Sequence, residues 1–212
     1  MWLTVFGATG GTGRHLVSRG LQAGHRVTAV VRDPARLDAR HDRLEIVRAD
    51  VLEPGAIEAA VAGRDAVVSA LGPRGGRGPT TVCSAGTASV LTAMQATGVR
   101  RFVGISAAPV AVDDEGDRLL YRLTARPLLR ALFTHVYADL ALMEAQLRRS
   151  DVDWIVLRAP RLTDKPAAGH YRTALNGNVP GGYVISRADL ADAILDRLDD
   201  PAAIRATVGI GY

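Results

Sequence analysis

The chain has a single cysteine, Cys83, among its 212 residues. One thiol cannot build an internal disulfide framework, so stability must come from a packed core, and the expected setting is a reducing one, the cytoplasm. Lysine is equally scarce: of the 26 basic residues all are arginine except Lys165. Aromatic residues make up 5% of the chain, too few for a base-stacking surface. The arginines are scattered, adjacent only at Arg100–Arg101 and Arg148–Arg149, with Asp and Glu between them. The net charge of +4 therefore does not form the clustered basic face of a nucleic-acid binder. No apolar run approaches the roughly 18 residues needed to span a membrane. The first strand-like segment starts at Trp2, which leaves no room for a signal peptide ahead of it. The five histidines show no metal-ligand spacing, and Cys83 lies mid-helix with no evident base, so neither metal nor thiol chemistry is assigned.

What is present is a globular composition, 48% hydrophobic and 23% charged, of a length that suits one domain. Short apolar runs alternate with amphipathic helical segments, the βαβα pattern of a parallel sheet covered on both faces. Strands are predicted at Trp2–Phe6, Arg26–Val31, Leu44–Arg48, Asp65–Leu71, Arg101–Ser106, Trp154–Leu157 and Ala206–Ile210. Helices are predicted after the glycines of 7–13, from Pro54 to Gly63, over Thr80–Ala96, over Leu119–Phe133 with a break near Pro127, over Tyr137–Arg149, and over Asp189–Leu198 with Ser186 as cap. The stretch 159–182 has prolines, glycines and no period, and is read as a loop over the sheet edge. The expectation is an α/β, Rossmann-like, doubly wound parallel sheet in a single domain over 1–212. Substrate-covering segments are expected at about 107–135 and 159–182.

The strongest motif is Gly7-Ala-Thr-Gly10-Gly-Thr-Gly13, set between the first strand and the first helix. The first glycine permits the tight turn, the second lets backbone approach a pyrophosphate, and the third lets helix pack closely on strand. Backbone N–H groups of Thr9, Gly10, Gly11 and Thr12 at a helix N-terminus would cradle the phosphates. An acidic residue ending the second strand would accept the ribose hydroxyls of NAD, whereas an arginine suits a 2′-phosphate. Here that position is Arg32, with Arg14 and Arg36 at the same corner, so NADP(H) is expected. Arg32 could instead pair with Asp33. Asp50 and Val51 follow the third strand, on the adenine side, although Asp50 could equally cap the helix at Pro54. Leu71 and Gly72 follow the fourth strand, beside the nicotinamide ribose.

These motifs, taken in order, resemble the atypical short-chain dehydrogenases/reductases of the NAD(P)-binding, NmrA-like group, and within it the biliverdin reductase B family of NADPH-dependent flavin reductases. The stretches that carry the resemblance are GATGGTG (7–13), VRDPARL (31–37), ADVL (49–52), VAGRDAV (61–67), PTTVCSAG (79–86), GVRRFVGISA (98–107), APRLTDKPAAGHY (159–171) and ISRADLADAIL (185–195). The resemblance implies hydride transfer from NADPH to a planar acceptor. Ser106 would be the residue touching nicotinamide and substrate, with Pro160 on the cofactor, Arg74 in the loop after the fourth strand reaching the cofactor or an anionic acceptor, and Ala107 and Arg161 toward the acceptor.

Two departures bear on the chemistry. The wider superfamily uses a Tyr-x-x-x-Lys dyad in which lysine lowers the tyrosine pKa for proton transfer. Here Tyr121, Tyr137 and Tyr171 are followed four residues later by Ala125, Ala141 and Leu175, and Lys165 follows Arg161. Flavins and quinones accept hydride without a committed protein acid, so the missing dyad favours them over simple ketones. Arg161 replaces a histidine of the family, where it could bind an acceptor's carboxylate or phosphate. The expected function is thus an NADPH-dependent reductase of a flavin, quinone or similar conjugated small molecule, acting as a monomer or homodimer without nucleic-acid or membrane partners. A tailoring reductase of one secondary metabolite, or a non-catalytic NADP(H)-sensing regulator, would keep the same fold.

Overall fold

In the computed structural model, residues 1–73, 75, 78–111 and 119–212 are described. Arg74 and residues 112–118 of the expected covering segment at 107–135 lie outside the described residues. The fully buried run Leu3–Phe6 belongs to β1 (Trp2–Phe6), which takes a central place because neither face offers a polar side. Parallel strands flank it: β2 (Arg26–Val31) and the edge strand β3 (Leu44–Arg48) on one side. On the other side come β4 (Ala66–Ser69), β5 (Arg101–Ala107), β6 (Asp153–Ala159) and β10 (Ala206–Gly211). The eight-stranded order is β3-β2-β1-β4-β5-β6-β10-β8, in which β8 (Arg172–Leu175) runs antiparallel to β10. The chain reverses its winding between β1 and β4, and open α/β sheets bind ligands at such a crevice.

Helices cover both faces. On one lie α1 (Gly11–Gln22) and α7 (Arg187–Asp196), whose Leu16, Val17, Leu190 and Ile194 pack on the sheet. On the other lie α2 (Pro54–Val61), α3 (Val82–Thr97) and α6 (Thr134–Arg149), with Ile57, Val90, Met94 and Leu147 against Phe6 and Phe102. Gly98 ends α3 in the left-handed conformation at φ 74°. The region after β5 holds α4 (Leu119–Leu123) and α5 (Ala125–Leu132), and the helix breaks at Thr124, three residues before Pro127.

The reading of 159–182 as loop is corrected. It contains β7 (Arg161–Thr163) and β8, and β7 pairs in parallel with β9 (Val184–Ser186) as a separate two-stranded sheet. These strands are three or four residues long, β8 largely exposed, β7 mostly half-buried and β9 buried at Ile185 and Ser186, so each is too short to show the apolar alternation that marks a strand.

Candidate functional site

The glycine loop bends as its spacing requires. Gly7 has φ 74°, and a Cβ there would lie 2.4 Å from the Ala70 carbonyl oxygen, just past β4. The Gly10 N–H donates to the Gly7 carbonyl at 2.9 Å. A Cβ on Gly13 would come within 2.1 Å of that same oxygen, so Gly13 serves the packing of α1 rather than any ligand directly. No side chain caps α1, and its first turn has no acidic residue. Its unsatisfied N–H groups and positive end therefore face open space, which is what a phosphate needs.

That space is a cavity of about 660 Å³ at the C-terminal ends of β1, β2, β4 and β5. The predicted Gly7, Thr9, Gly10, Gly11, Thr12, Arg32, Asp50, Val51, Leu71, Gly72 and Ser106 all line it. Its volume and mixed lining suit a dinucleotide-sized ligand. Other predicted positions stand back from the wall. Arg14 donates to the carbonyls of Thr9 (3.3 Å) and Arg36 (2.6 Å), bracing the loop from outside. Ala107 is paired with Ala159 across β5 and β6, Pro160 follows that pair, and Arg161 is exposed on β7. Of the expected covering segments, 159–182 contributes Leu162 to the wall, and none of the lining residues falls within 107–135.

At the β2 end, Arg32 is exposed and makes no ion pair among the described residues. Asp33, its possible partner, instead accepts the Ala35 N–H at 3.1 Å and caps a 3-10 turn at Pro34–Arg36. Asp50 accepts the Leu52 N–H at 3.0 Å, closing its own turn, while Glu53 occupies the cap position of α2. Neither of the competing structural roles for these two side chains is therefore realised as a helix cap or an ion pair.

At the β5 end, the Ser106 hydroxyl donates to Glu144 Oε1 at 2.7 Å. Glu144 is 2% exposed and receives Arg158 through Nε (3.1 Å) and a terminal nitrogen (2.7 Å), and Arg148 at 2.7 Å. With its proton committed to Glu144, Ser106 presents lone pairs to the cavity. Cys83 also lines the wall, but burial and the neighbouring Asp139 push its thiol up to about 12, which leaves it protonated and inert. Asp139 accepts the N–H groups of Cys83 and Ser84, both at 2.9 Å, and so caps α3 from α6. Among the described residues no tyrosine or lysine lines the cavity. Tyr171 is held by Asp196 at 2.7 Å, and Tyr121 stacks on Tyr183 at 4.8 Å.

Two residues at the start of α7 were missed by sequence reasoning, which read Ser186 only as a cap. Asp189 is fully buried and accepts Tyr212 Oη (2.5 Å), the Ser186 hydroxyl (2.7 Å), and the N–H groups of Ala168 (2.8 Å) and Gly169 (3.0 Å). Burial alone would raise its pKa, but these four hydrogen bonds outweigh it and hold the carboxyl below its ordinary value. Arg187 lines the cavity and pairs with Asp164 at 2.7 Å. Its only sequence signal is its place after a capping serine, which every α7-like helix could share.

The family model described as NAD(P)H-binding matches residues 7–201. An uncharacterised chloroplastic protein of Arabidopsis thaliana is 33% identical over 78% of this chain and 61% of its own length. A UPF0659 protein of Schizosaccharomyces pombe is 29% identical over 91% of this chain and 83% of its own. This chain therefore spans less than two thirds of the Arabidopsis relative. Among solved structures, a short-chain dehydrogenase/reductase of Veillonella parvula in complex with NADP superposes with TM-score 0.79 at 21% identity, covering 100% of this chain and 94% of that one. The oxidoreductase YlbE of Lactococcus lactis gives TM-score 0.81 at 17% identity, with 100% and 91% covered. The fold is shared with these solved structures, and the chain belongs to the NAD(P)H-binding family.

Proposed function

We propose that the protein is an NADPH-dependent reductase that passes hydride to a flavin, a quinone or a similar conjugated small molecule. The observation that carries this reading is the absence of a committed acid among the described residues at the β5 end of the cavity. The Ser106 proton is engaged by Glu144, Cys83 is inert, and no tyrosine or lysine reaches the wall. A simple ketone needs a proton delivered as its alkoxide forms, whereas a reduced flavin or quinone spreads its charge and takes its proton from water. The Arg32 guanidinium at the end of β2, which makes no ion pair among the described residues, supports NADP(H) over NAD(H), because a 2′-phosphate would meet a bidentate donor there. When bound, the nicotinamide supplies the hydride; the chain cradles the phosphates, fixes the ring beside Ser106 and keeps the pocket walls apolar through Phe6, Val51 and Leu71. This agrees with the resemblance to the biliverdin reductase B family, a name none of the relatives above carries. The buried lone thiol also suits a reducing, cytoplasmic setting.

The test is NADPH oxidation followed at 340 nm with FMN, FAD and a simple quinone, with NADH in parallel. Turnover preferring NADPH is the expected result. Binding without turnover on any of them would move the reading to a reductase of one narrow metabolite or to an NADP(H)-sensing regulator. The exposed leucines Leu119, Leu120, Leu123 and Leu128 on α4 and α5 favour the regulator as the second reading, since a partner could cover them.

A further inference from the structure

The helices α1 and α7 pack side by side and run the same way: Gly11 meets Arg187 at their starts, and Arg19 meets Asp192 at 2.6 Å about two turns on. Both positive ends therefore converge at the mouth of the cavity. Between them lies a third positive group, the Arg187 guanidinium. Its Cδ and Nε would be 2.6 and 2.7 Å from a Cβ on Gly11, so the bare glycine lets the guanidinium lie directly over the start of α1, and a side chain there would push it aside. Two helix N-termini and an arginine repel one another unless an anion joins them. Asp189, in the first turn of α7, is fully occupied by Tyr212, Ser186, Ala168 and Gly169. Among the described residues the anion on Arg187 is Asp164, whose side chain is 86% exposed. A pair so exposed to water contributes little and separates readily.

We propose that Arg187 is a binding contact for the diphosphate of the cofactor, and that Asp164 is the resting counter-ion it gives up when the diphosphate enters. This rests on the dinucleotide reading above and adds a division of labour to it. Arg32 reads the 2′-phosphate that distinguishes NADPH from NADH, whereas Arg187 reads the diphosphate that both share. Asp164 sits between Leu162, which lines the cavity, and the Ala168–Gly169 turn held by Asp189. Breaking the Asp164–Arg187 pair thus releases the 164–167 strap from the mouth while its far end stays tied.

The test measures equilibrium binding of NADPH, NADH and ADP-ribose to the full chain and to the variants R187A, R187K and D164N, with R32A as comparator. R187A is expected to weaken all three ligands by the same factor, about tenfold or more for loss of a charge-assisted hydrogen bond, with R187K recovering part of it. D164N, at a position 86% exposed where folding should be little affected, is expected to tighten all three several-fold, with the gain shrinking as salt is raised. R32A should affect NADPH alone. Unchanged binding in R187A, or weaker binding in D164N, would overturn the proposal. Loss of Arg187 dependence with intact NADPH binding defeats this assignment alone. Arg187-dependent binding of ADP-ribose without any binding of NADPH or NADH would instead defeat the dinucleotide-reductase reading and leave the diphosphate site standing.

Discussion

A carboxylate buried to 2% exposure is tolerable only when its partners are in place, and Glu144 has Ser106, Arg158 and Arg148 around it. Arg158 is itself 7% exposed, so removing Glu144 strands a buried guanidinium. Glu144→Ala is expected to lower unfolding stability by about 3–5 kcal/mol, measured by urea denaturation. Its hydroxyl contact with Ser106 would vanish too, freeing that proton toward the cavity. Arg32→Ala tests the other end: NADPH binding should weaken by about 1.5–3 kcal/mol while NADH is unaffected. Equal losses for both cofactors would remove the 2′-phosphate assignment. Cys83, pushed up to about 12, should resist iodoacetamide at pH 8 in the folded protein and react fully in denaturant. At this scale the sequence was legible where backbone does the work, since Gly7, Gly10 and Gly13 announce their roles by spacing. Glu144, Arg158, Asp139 and Arg187 were not, because a charge in a sequence reads as surface until a distant partner is seen to bury it.

Elements declared themselves according to how much apolar surface each buries. The strands β1, β2 and β3 fall on the predicted residues, and the breaks after α1, α2 and α3 follow Gly24, Gly63 and Gly98. The strands β7, β8 and β9 escaped because their order comes from partners far along the chain, such as Arg172–Leu175 against Val208–Gly211. Asp189 is the tie that holds this segment, joining the α7 cap, the Ala168–Gly169 turn and the C-terminal Tyr212. Its carboxyl is held below its ordinary value, so the charged form is favoured by folding. The stability it contributes is fully present above the unfolded carboxylate pKa of roughly 3.9 and is lost as pH falls through the lower folded value. Asp189→Asn is expected to cost about 2 kcal/mol or more at pH 7, through weaker hydrogen bonds to two N–H groups and two hydroxyls. The same variant should lose less stability than the parent between pH 4 and pH 2, and an acid-denaturation series on both proteins reads this directly. A parallel acid limb in the two would mean that other carboxylates carry it.

For the whole molecule, the doubly wound order and its crevice were legible because strand and helix alternate from Trp2 onward, and one glycine loop marks where the winding reverses. The cavity draws its walls from both layers and from four strand ends, so a bound dinucleotide would touch α1, α7, α3 and the loops after β2, β3 and β4 at once. A ligand that bridges so many elements binds the folded chain and has nothing comparable to hold in the unfolded one. Mass action then stabilises the fold by about 2.7 kcal/mol when the free ligand is at roughly a hundred times its Kd. For a chain of this length that corresponds to a rise in Tm of about 5–10 °C. NADPH is expected to give that shift, Arg32→Ala to lose most of it for NADPH while keeping any shift given by NADH, and Arg187→Ala to reduce both together. The distal face should be silent in the same assay. Replacing the exposed Leu120 and Leu123 on α4 with serine leaves the cavity walls intact and is expected to leave the NADPH-induced shift unchanged. A shift that disappeared in that double variant would mean that α4 couples to the cofactor cavity, and that its exposed leucines close over the ligand rather than meeting a partner.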